Sequence, residues 1–503
     1  MLHLPLFLVL FSSLLFLVIL TKHHRKHAKL NLPPGPKGLP FIGNLHQFDA
    51  SAPHLYFFRL AKIYGPILSL KFGRRRVVVI QSASLAKEVL KTHDDIFSNR
   101  PVLTGQQKLS HNGSDLAFAP YNDYYREMRK LCVIHLFSSK KVQSSAPIRR
   151  EEVSRIIQKI SALSSASKLV NLSDLLMALT SSIICRVAYG KRYEDEDVER
   201  SRFHSLLNET EAMFTASSFS DYFLFIGGWI DKLSGLSSRL ERLFKDMDEF
   251  YEEIINDHLD PDRPKSEHQD IVDVLLQLRK ERCFSFDLTL DHIKAILMNI
   301  MVGGTETSAL TVVWAMTELM KNPNIMRKVQ DELRTLIQGK TFIDENDLPK
   351  FIYLKAIVKE TFRFHTVAPL LIPHEVSQKC SLDGYDIPPH SLVFVNAWAV
   401  GRDPKYWKNP EVFMPERFIE SSVGFKGQNF EFIPFGAGKR ACPGMFLGLS
   451  TVELTLANLL YSFDWELPDG MKKEDIDTDV IPGLTMHKKN PLCLIAKMFP
   501  GAT

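Results

Sequence analysis

Residues 435–444 read Phe435-Gly436-Ala437-Gly438-Lys439-Arg440-Ala441-Cys442-Pro443-Gly444, which places one cysteine among three glycines and a proline. An apolar segment from Met445 to about Tyr461 follows directly and predicts a buried helix. Cys442 would then lie in a tight loop at a helix N-terminus, where unpaired N–H groups and the helix dipole favour negative charge. We therefore predict a lowered pKa for the Cys442 thiol and a role as a thiolate ligand, beside glycines that let a flat group approach. The alternative is an inert cysteine of the core.

A second apolar stretch predicts a long helix upstream of this loop. Thr289 is a plausible N-cap, and the apolar periodicity continues to about Lys321. Gly303-Gly304 in the middle cost about 2 kcal/mol of helix propensity relative to alanine, which predicts a local opening of the helix beside a ligand. Asn299, Gly303 and Thr307 share one face of the helix. The alternative for Thr307 is a hydrogen bond to the carbonyl four residues earlier.

Weaker patterns accompany these two. Glu360-Thr361-Phe362-Arg363 places an acid and a base three residues apart on one helix face, and Pro415-Glu416-Arg417-Phe418 follows about fifty residues later. A basic helix lies at Tyr121–Lys130, and an apolar strand, Val367–Pro373, precedes His374. Taken alone, such patterns are ordinary: a surface ion pair, a solvated basic face or a solvated loop histidine. The order and spacing of these patterns along the chain distinguish them from ordinary surface features.

The N-terminus has its own signal. Residues 4–20 are almost wholly apolar and are followed by Lys22-His23-His24-Arg25-Lys26-His27. The run is long enough to span a bilayer, and charges after it place the N-terminus in the lumen and the rest in the cytosol. We predict an anchor over residues 1–21, a basic and proline-rich hinge over 22–36 and one large domain over 37–503. We find no other full-length span in the sequence, and a cleaved signal peptide is the alternative.

Composition excludes several classes of protein. A net charge of +4 over 503 residues argues against nucleic acid as a partner. Six cysteines without a Cys-x-x-Cys pair suit neither a zinc site nor a disulfide scaffold, and they fit a reducing compartment. Strand signals are few, with a hairpin predicted over Ile67–Ile80 and its turn at Gly73-Arg74. The predicted fold class is mainly α with small β-sheets.

Together these motifs resemble those of the cytochrome P-450 superfamily, the haem-thiolate monooxygenases. Phe-x-x-Gly-x-Arg-x-Cys-x-Gly, Gly-Gly-x-Glu-Thr, Glu-x-x-Arg and Pro-Glu-Arg-Phe are all present, and the resemblance covers essentially the whole chain. It is greatest to plant members that tailor specialised metabolites, including those that act on aldoximes. The resemblance implies the single large fold of this family behind an N-terminal transmembrane helix, in the endoplasmic reticulum membrane with a cytosolic catalytic domain.

The resemblance also implies roles for individual residues. Cys442 would be the axial iron ligand of haem b, and Phe435, Gly436, Arg440, Arg129, Tyr125 and His374 would also bind the cofactor. Of these, Tyr125 stands where the family has tryptophan. Thr307 would hydrogen-bond dioxygen at the iron, and Glu306 would relay protons. Glu360, Arg363 and Arg417 would interlock and hold the cysteine loop, and the substrate pocket would include Asn299, Gly303, Ala368, Leu371 and Leu484.

The implied reaction inserts one oxygen atom from O2 into a small lipophilic metabolite: an aldoxime, a phenolic or flavonoid, or a terpenoid. Electrons would come from NADPH through a separate diflavin reductase, with cytochrome b5 as a further candidate partner and membrane lipid around the anchor. The alternatives are a haem-thiolate isomerase or dehydratase, which needs no reductase, and a non-catalytic haem-binding protein. The intact Glu306-Thr307 pair favours the monooxygenase.

Overall fold

The computed structural model describes residue 13 and residues 30–194, 197–216, 218–264, 269–282, 284–481 and 483–502. The predicted anchor and the first part of the predicted hinge therefore lie outside the described residues. The helices are α1 Pro53–Tyr64, α2 Ala83–Lys87, α3 Asp94–Phe97, α4 Thr104–Leu109, α5 Asp123–Leu131, α6 Ser139–Ser144, α7 Ala146–Ser165, α8 Leu172–Tyr189, α9 Asp197–Thr215, α10 Phe219–Tyr222, α11 Gly227–Leu233, α12 Leu236–Leu259, α13 Ile271–Glu281, α14 Leu290–Lys321, α15 Pro323–Leu336, α16 Ile352–Phe364, α17 Ala397–Val400 and α18 Met445–Ser462. The fold is mainly helical, as predicted.

The strands are short and form small sheets. They are β1 Ile67–Phe72, β2 Arg75–Ile80, β3 Val170–Asn171, β4 His374–Glu375, β5 Cys380–Leu382, β6 Tyr385–Ile387, β7 Leu392–Val395, β8 Phe463–Glu466, β9 Val480–Ile481, β10 His487–Lys488 and β11 Cys493–Met498. The predicted hairpin is confirmed, since β1 and β2 pair antiparallel with Ile67 opposite Ile80. The largest sheet has the order β1-β2-β7-β4, with β7 parallel to β2. The others pair β3-β11-β8, β9-β10 and β5-β6.

Helix α14 confirms the predicted long helix. The Thr289 hydroxyl accepts from the His292 N–H, which closes a capping box at its N-terminus. The helix is continuous through Gly303-Gly304, so the expected local opening is wrong. Close packing supplies another reason for the second glycine, because a Cβ at Gly304 would lie 2.5 Å from Ile184 of α8. A Cβ at Gly303 would instead point into open space.

Helix α14 joins two hydrophobic cores. Its N-terminal part, from Ile293 to Val302, packs in a core with Leu297 and Met301 at its centre. Its C-terminal part, from Ala309 to Met320, packs in a second core with α16 and α18. Residues 303–308 lie between the two cores, and this position allows a cavity to open beside them.

Three described helices, α8, α14 and α18, are as long and apolar as a membrane span. The N-terminal run is therefore not the only full-length candidate, contrary to the expectation from sequence. Between 61% and 78% of each apolar window is buried inside the domain, where α14 packs on both α8 and α18. Their apolar character is explained by the core of the domain.

Candidate active site

A cavity of about 330 Å³ lies between α14 and the cysteine loop, and most of the side chains that line it are apolar. It brings together most of the residues predicted for the site. Its wall includes Cys442, Arg440, Phe435, Gly436, Tyr125, Arg129, His374, Thr307, Asn299, Gly303, Ala368, Leu371 and Leu484. Of the remaining predicted residues, Glu306, Glu360, Arg363 and Arg417 lie behind the wall.

The cysteine loop owes its shape to short backbone contacts. Gly438 has φ 66°, and a Cβ there would collide with the Leu90 carbonyl oxygen, so only glycine fits. The Lys439 N–H donates to the Asp94 carboxylate at 2.8 Å, and the Cys442 N–H donates to a carbonyl of the same loop. These contacts set the position of the sulfur at the start of α18.

The predicted lowering of the Cys442 pKa is wrong for the free protein. The Cys442 side chain is exposed on the wall of the cavity, and desolvation by the protein around it raises the pKa of the thiol. This outweighs the opposite effect of the Gly444 and Met445 N–H groups and of Arg129. A metal cation at the sulfur favours the thiolate, because metal binding displaces the proton of a cysteine ligand. The loop is therefore arranged for a thiolate that forms together with its metal.

Three guanidinium groups surround one side of the cavity. Arg100, Arg129 and Arg440 all lie on its wall, and their hydrogen bonds go to backbone carbonyls and to the hydroxyl of Tyr125. No ion pair with a carboxylate is formed by any of the three within the described ranges. Burial and the nearby Arg440 lower the pKa of Arg100 to about 9. Such a group of cations on the cavity wall favours an anionic ligand. Sequence reasoning did not identify Arg100.

Tyr125 supports these arginines. Its buried hydroxyl donates to the Lys439 carbonyl at 2.8 Å and accepts from Arg129 at 3.3 Å. The Arg440 guanidinium lies 3.7 Å from the centroid of its ring. The only proton of the hydroxyl is thus donated within the protein, so in this arrangement Tyr125 has none to donate to a haem carboxylate.

His374 is buried at the start of β4, and the strand predicted over Val367–Pro373 is wrong, because these residues form turns and irregular backbone. Its Nδ1 lies 2.8 Å from the Phe97 carbonyl oxygen, which can only accept, so Nδ1 carries the proton. Burial, with Arg100 nearby, lowers the pKa of His374 well below its usual value. The neutral ring presents Nε2 as an acceptor. The expected contact with a haem carboxylate therefore needs a second proton on Nε2.

The wall of the cavity fits haem. A Cβ at Gly303 on α14, or at Gly444 beside Cys442, would meet no atom within 4 Å, so both residues leave room for a flat group. The guanidinium groups of Arg100, which is buried, and of Arg129 and Arg440, which are half-buried, suit its two carboxylates. Cys442 supplies a sulfur ligand of the kind that haem-thiolate proteins use.

Thr307 makes the alternative hydrogen bond considered from sequence. Its hydroxyl donates to the Gly303 carbonyl at 2.7 Å and leaves its lone pairs on the cavity wall. Asn299 is less available than expected. Its side-chain oxygen accepts the N–H groups of Leu116 and Ala117, and its nitrogen donates to Asp115 at 2.8 Å. Asn299 thus fixes the 115–117 segment over α14.

Glu306 points away from the cavity, as expected for the residue next to Thr307 on a helix. Its carboxylate accepts from His487 at 2.6 Å and from Thr485 at 3.3 Å. Burial raises the pKa of Glu306, but the hydrogen bonds from His487 and Glu211 outweigh it and the net pKa is lowered. Sequence reasoning missed Glu211 and His487, which lie on distant elements.

The predicted ion network is present behind the cysteine loop. Arg363 donates two hydrogen bonds of 2.8 Å to Glu360, and both side chains are fully buried. Arg417 donates to the same carboxylate at 3.1 Å. Phe362 of the same helix packs on Phe435, with ring centroids 5.0 Å apart. This contact connects the network to the cysteine loop.

Glu360→Ala would leave the Arg363 guanidinium buried without its carboxylate. Removing one partner of a buried ion pair costs about 3–5 kcal/mol, and we expect a loss of that order in the free energy of unfolding. Denaturant unfolding followed by circular dichroism measures it. The control is Glu466→Ala, which breaks an exposed pair with Lys497 and should cost less than about 1 kcal/mol. Equal losses in both variants would show that the buried network adds nothing special.

Comparison with known proteins agrees with the geometry of the site. The cytochrome P450 family model matches residues 33–495. The 6,7,8-trihydroxycoumarin synthase of Pastinaca sativa is 47% identical over 98% of this chain and 99% of its own length. The 5-OH-xanthotoxin synthase of the same plant is 47% identical over 98% of both. A solved structure of a zebrafish cytochrome P450 with abiraterone has a TM-score of 0.72 at 26% identity, covering 89% of this chain and 100% of that one.

These matches extend over nearly the whole chain, from before the first described helix to the last strand. They include the cysteine loop and the middle of α14, which form the two sides of the cavity. The chain therefore belongs to the cytochrome P450 family and is a haem-thiolate monooxygenase.

Proposed function

We propose that this enzyme inserts one oxygen atom from O2 into a small lipophilic phenolic compound of the coumarin type. NADPH would supply the electrons through a separate diflavin reductase, with cytochrome b5 as a further candidate partner. The observation that carries the proposal is a single apolar cavity lined by both Cys442 and Thr307. The activities for which the two plant relatives are named favour phenolics over the aldoximes and terpenoids that the sequence left open.

Haem held by Cys442 and the three arginines would supply the binding and reductive activation of dioxygen. The side chains of the protein would bind the substrate, exclude water and supply protons. Ala368, Leu371 and Leu484 give the cavity apolar walls that exclude water and hold a flat, lipophilic substrate. The Thr307 hydroxyl lies at the wall, and its O–H would turn from the Gly303 carbonyl into the cavity to pass on its proton during oxygen reduction.

The ion network has a supporting role in this proposal. Glu360, Arg363 and Arg417 would hold the cysteine loop from behind, so that the sulfur stays in place while electrons arrive. Arg129 also donates to the Ala441 carbonyl at 2.7 Å, next to Cys442. The position of the ligand is thus set from both sides of the loop.

The test uses yeast microsomes that contain the full chain and a plant diflavin reductase. They are incubated with a hydroxycoumarin, xanthotoxin, an aldoxime and a terpenoid, each with and without NADPH. We expect an oxygenated product from a coumarin-type compound only with NADPH. Conversion without NADPH would favour the isomerase or dehydratase, and haem binding without any turnover would favour a non-catalytic haem protein.

We also propose that the chain is anchored in the endoplasmic reticulum membrane by residues 1–21, with a hinge over 22–36 and the catalytic domain over 37–503 in the cytosol. An exposed apolar patch at α11 and the segment before it supports a second membrane contact. Phe225 is 89% exposed, Trp229 72% and Leu233 86%. Exposed apolar side chains grouped in this way are typical of interaction surfaces.

Deleting residues 1–30 should release the protein only in part from membranes washed with high salt, because the patch retains contact with lipid. Adding Phe225→Ser, Trp229→Ser and Leu233→Ser should complete the release. The matched control adds Val198→Ser and Ile352→Ser, which are exposed elsewhere. Immunoblots of pellet and supernatant measure the partition. Complete release by the deletion alone would contradict the second contact.

A further inference from the structure

A cluster of two carboxyl groups and one imidazole lies on the side of α14 that faces away from the cysteine loop. His487 Nε2 is 2.6 Å from the Glu306 carboxylate and 3.7 Å from the Glu211 carboxylate. Glu211 comes from α9, Glu306 from α14 and His487 from β10. Three separate elements thus place titratable groups together.

The charges of the cluster balance. Burial opposes the charged form of His487, but the nearby carboxyl groups of Glu211 and Glu306 raise its pKa to about 10. Burial raises the pKa of Glu211 to about 8, and the nearby carboxylate of Glu306 adds to this. At neutral pH the arrangement is therefore a carboxylate at Glu306 between a histidine cation and a protonated Glu211. Because these charges cancel, no metal ion is needed to hold the cluster.

The three groups lie at different depths. The His487 side chain is 26% exposed, whereas that of Glu306 is 1% exposed. Glu211 is largely buried and lies on the wall of the cavity that Thr307 also lines. The cluster therefore connects the protein surface with the cavity through three groups whose nearest polar atoms all lie within 4.8 Å of one another. Glu306, the expected proton relay, is the middle of this connection and does not itself reach the cavity wall.

We propose that His487, Glu306 and Glu211 form a proton relay, in which Glu211 releases protons into the cavity and His487 takes them up from solvent. Glu211 gives its carboxyl proton to an acceptor in the cavity and is reprotonated by way of Glu306. His487 Nε2 gives a proton to Glu306 and regains one from water. No bond other than those to hydrogen changes, and NADPH supplies the electrons. The inference rests on the proposed function, because it extends the role of Glu306.

The test compares Glu211→Gln and His487→Gln, both nearly isosteric, with the full-length enzyme in microsomes that contain excess reductase. We expect the product formed per NADPH consumed to fall by at least about tenfold, because positioned proton transfer contributes about 10²–10⁴ in rate and water replaces part of it. Hydrogen peroxide should rise. The solvent isotope effect on product formation should increase, because proton delivery becomes limiting.

His204→Gln is a matched control. His204 is also 26% exposed and lies 2.6 Å from a carboxylate, that of Glu194, but it is not on the cavity wall. The His204→Gln substitution should leave the product formed per NADPH consumed and the solvent isotope effect unchanged. Lower haem content in the His487 variant, with an unchanged isotope effect per haem, would show a structural role and overturn the relay.

Infrared spectroscopy gives a readout that does not depend on turnover. A protonated carboxyl group has a carbonyl stretching band that its carboxylate lacks. The wild-type minus Glu211→Gln difference spectrum of the full-length protein should show this band below about pH 8 and lose it above. Absence of the band at pH 6 would overturn the proton-releasing role of Glu211.

The two proposals fail differently. If Thr307→Ala uncouples oxygen consumption from product while both relay variants stay coupled, the relay is wrong and the proposed function stands. In another outcome, none of these variants changes the product formed per NADPH consumed although the infrared band is present. Glu211 is then protonated as proposed, but turnover does not require proton supply along this route, and the relay is again wrong.

Discussion

Cys442→Ser is expected to abolish the red-shifted absorption band of the carbon monoxide complex of the reduced protein. That band reports thiolate ligation of haem iron, and a serine hydroxyl cannot provide it. Product formation should fall to the level of the reductase alone, because the electronic influence of the thiolate on oxygen activation is lost. The measurement is a difference spectrum of solubilised membranes, normalised to protein.

Cys132→Ala is the matched control, since Cys132 also lines the cavity. It is buried at the start of the segment that follows α5, where burial raises the pKa of its thiol to about 12. The band should survive this substitution. A band that persists in Cys442→Ser and disappears in Cys132→Ala would show that Cys132, and not Cys442, is the iron ligand.

Thr307→Ala should separate NADPH consumption from product formation. Alanine has a higher helix propensity than threonine, so α14 and haem binding should be retained. The variant loses the hydroxyl on the cavity wall, whose proton would turn from the Gly303 carbonyl into the cavity during turnover. Positioned proton transfer of this kind contributes about 10²–10⁴ in rate. NADPH should still be oxidised, hydrogen peroxide should rise, and product per NADPH should fall by one order of magnitude or more.

The control for this variant is Thr311→Ala. Thr311 lies one turn further along α14, lines the same cavity and donates to the Thr307 carbonyl at 2.7 Å, the distance that Thr307 keeps from Gly303. Thr311→Ala should keep the ratio of product to NADPH, and Thr307→Ser should restore most of it. Equal losses at both positions would show that only the helix geometry was disturbed.

Local sequence signals predicted the fold where the structure depends on neighbours in the chain. The ends of α14 follow from the Thr289 cap and the break before Pro323, and the β1–β2 hairpin follows from its turn at Gly73. The roles of the cysteine loop and of the Glu360 network followed from motifs that resemble those of the family. Glu360 and Arg363 lie on one helix, whereas Arg417 belongs to a second recognisable motif.

Other features depend on distant elements and could not be predicted in this way. Arg100 joins the cavity through the carbonyls of residues 372 and 373, and no local pattern marks it. Glu211 and His487 meet Glu306 from helix α9 and strand β10. The pKa of Cys442 was predicted with the wrong sign, because the helix N-terminus is visible in the sequence whereas the burial that outweighs it is not.

The most direct test of the central claim follows the source of the oxygen atom in the product. Full-length enzyme, reductase, NADPH and a coumarin-type substrate are incubated under isotopically labelled dioxygen, and the product is analysed by mass spectrometry. We predict one labelled oxygen atom per product molecule, with none acquired from labelled water in the reciprocal experiment. A product without label from dioxygen, or one that forms without NADPH, would contradict monooxygenation by this enzyme.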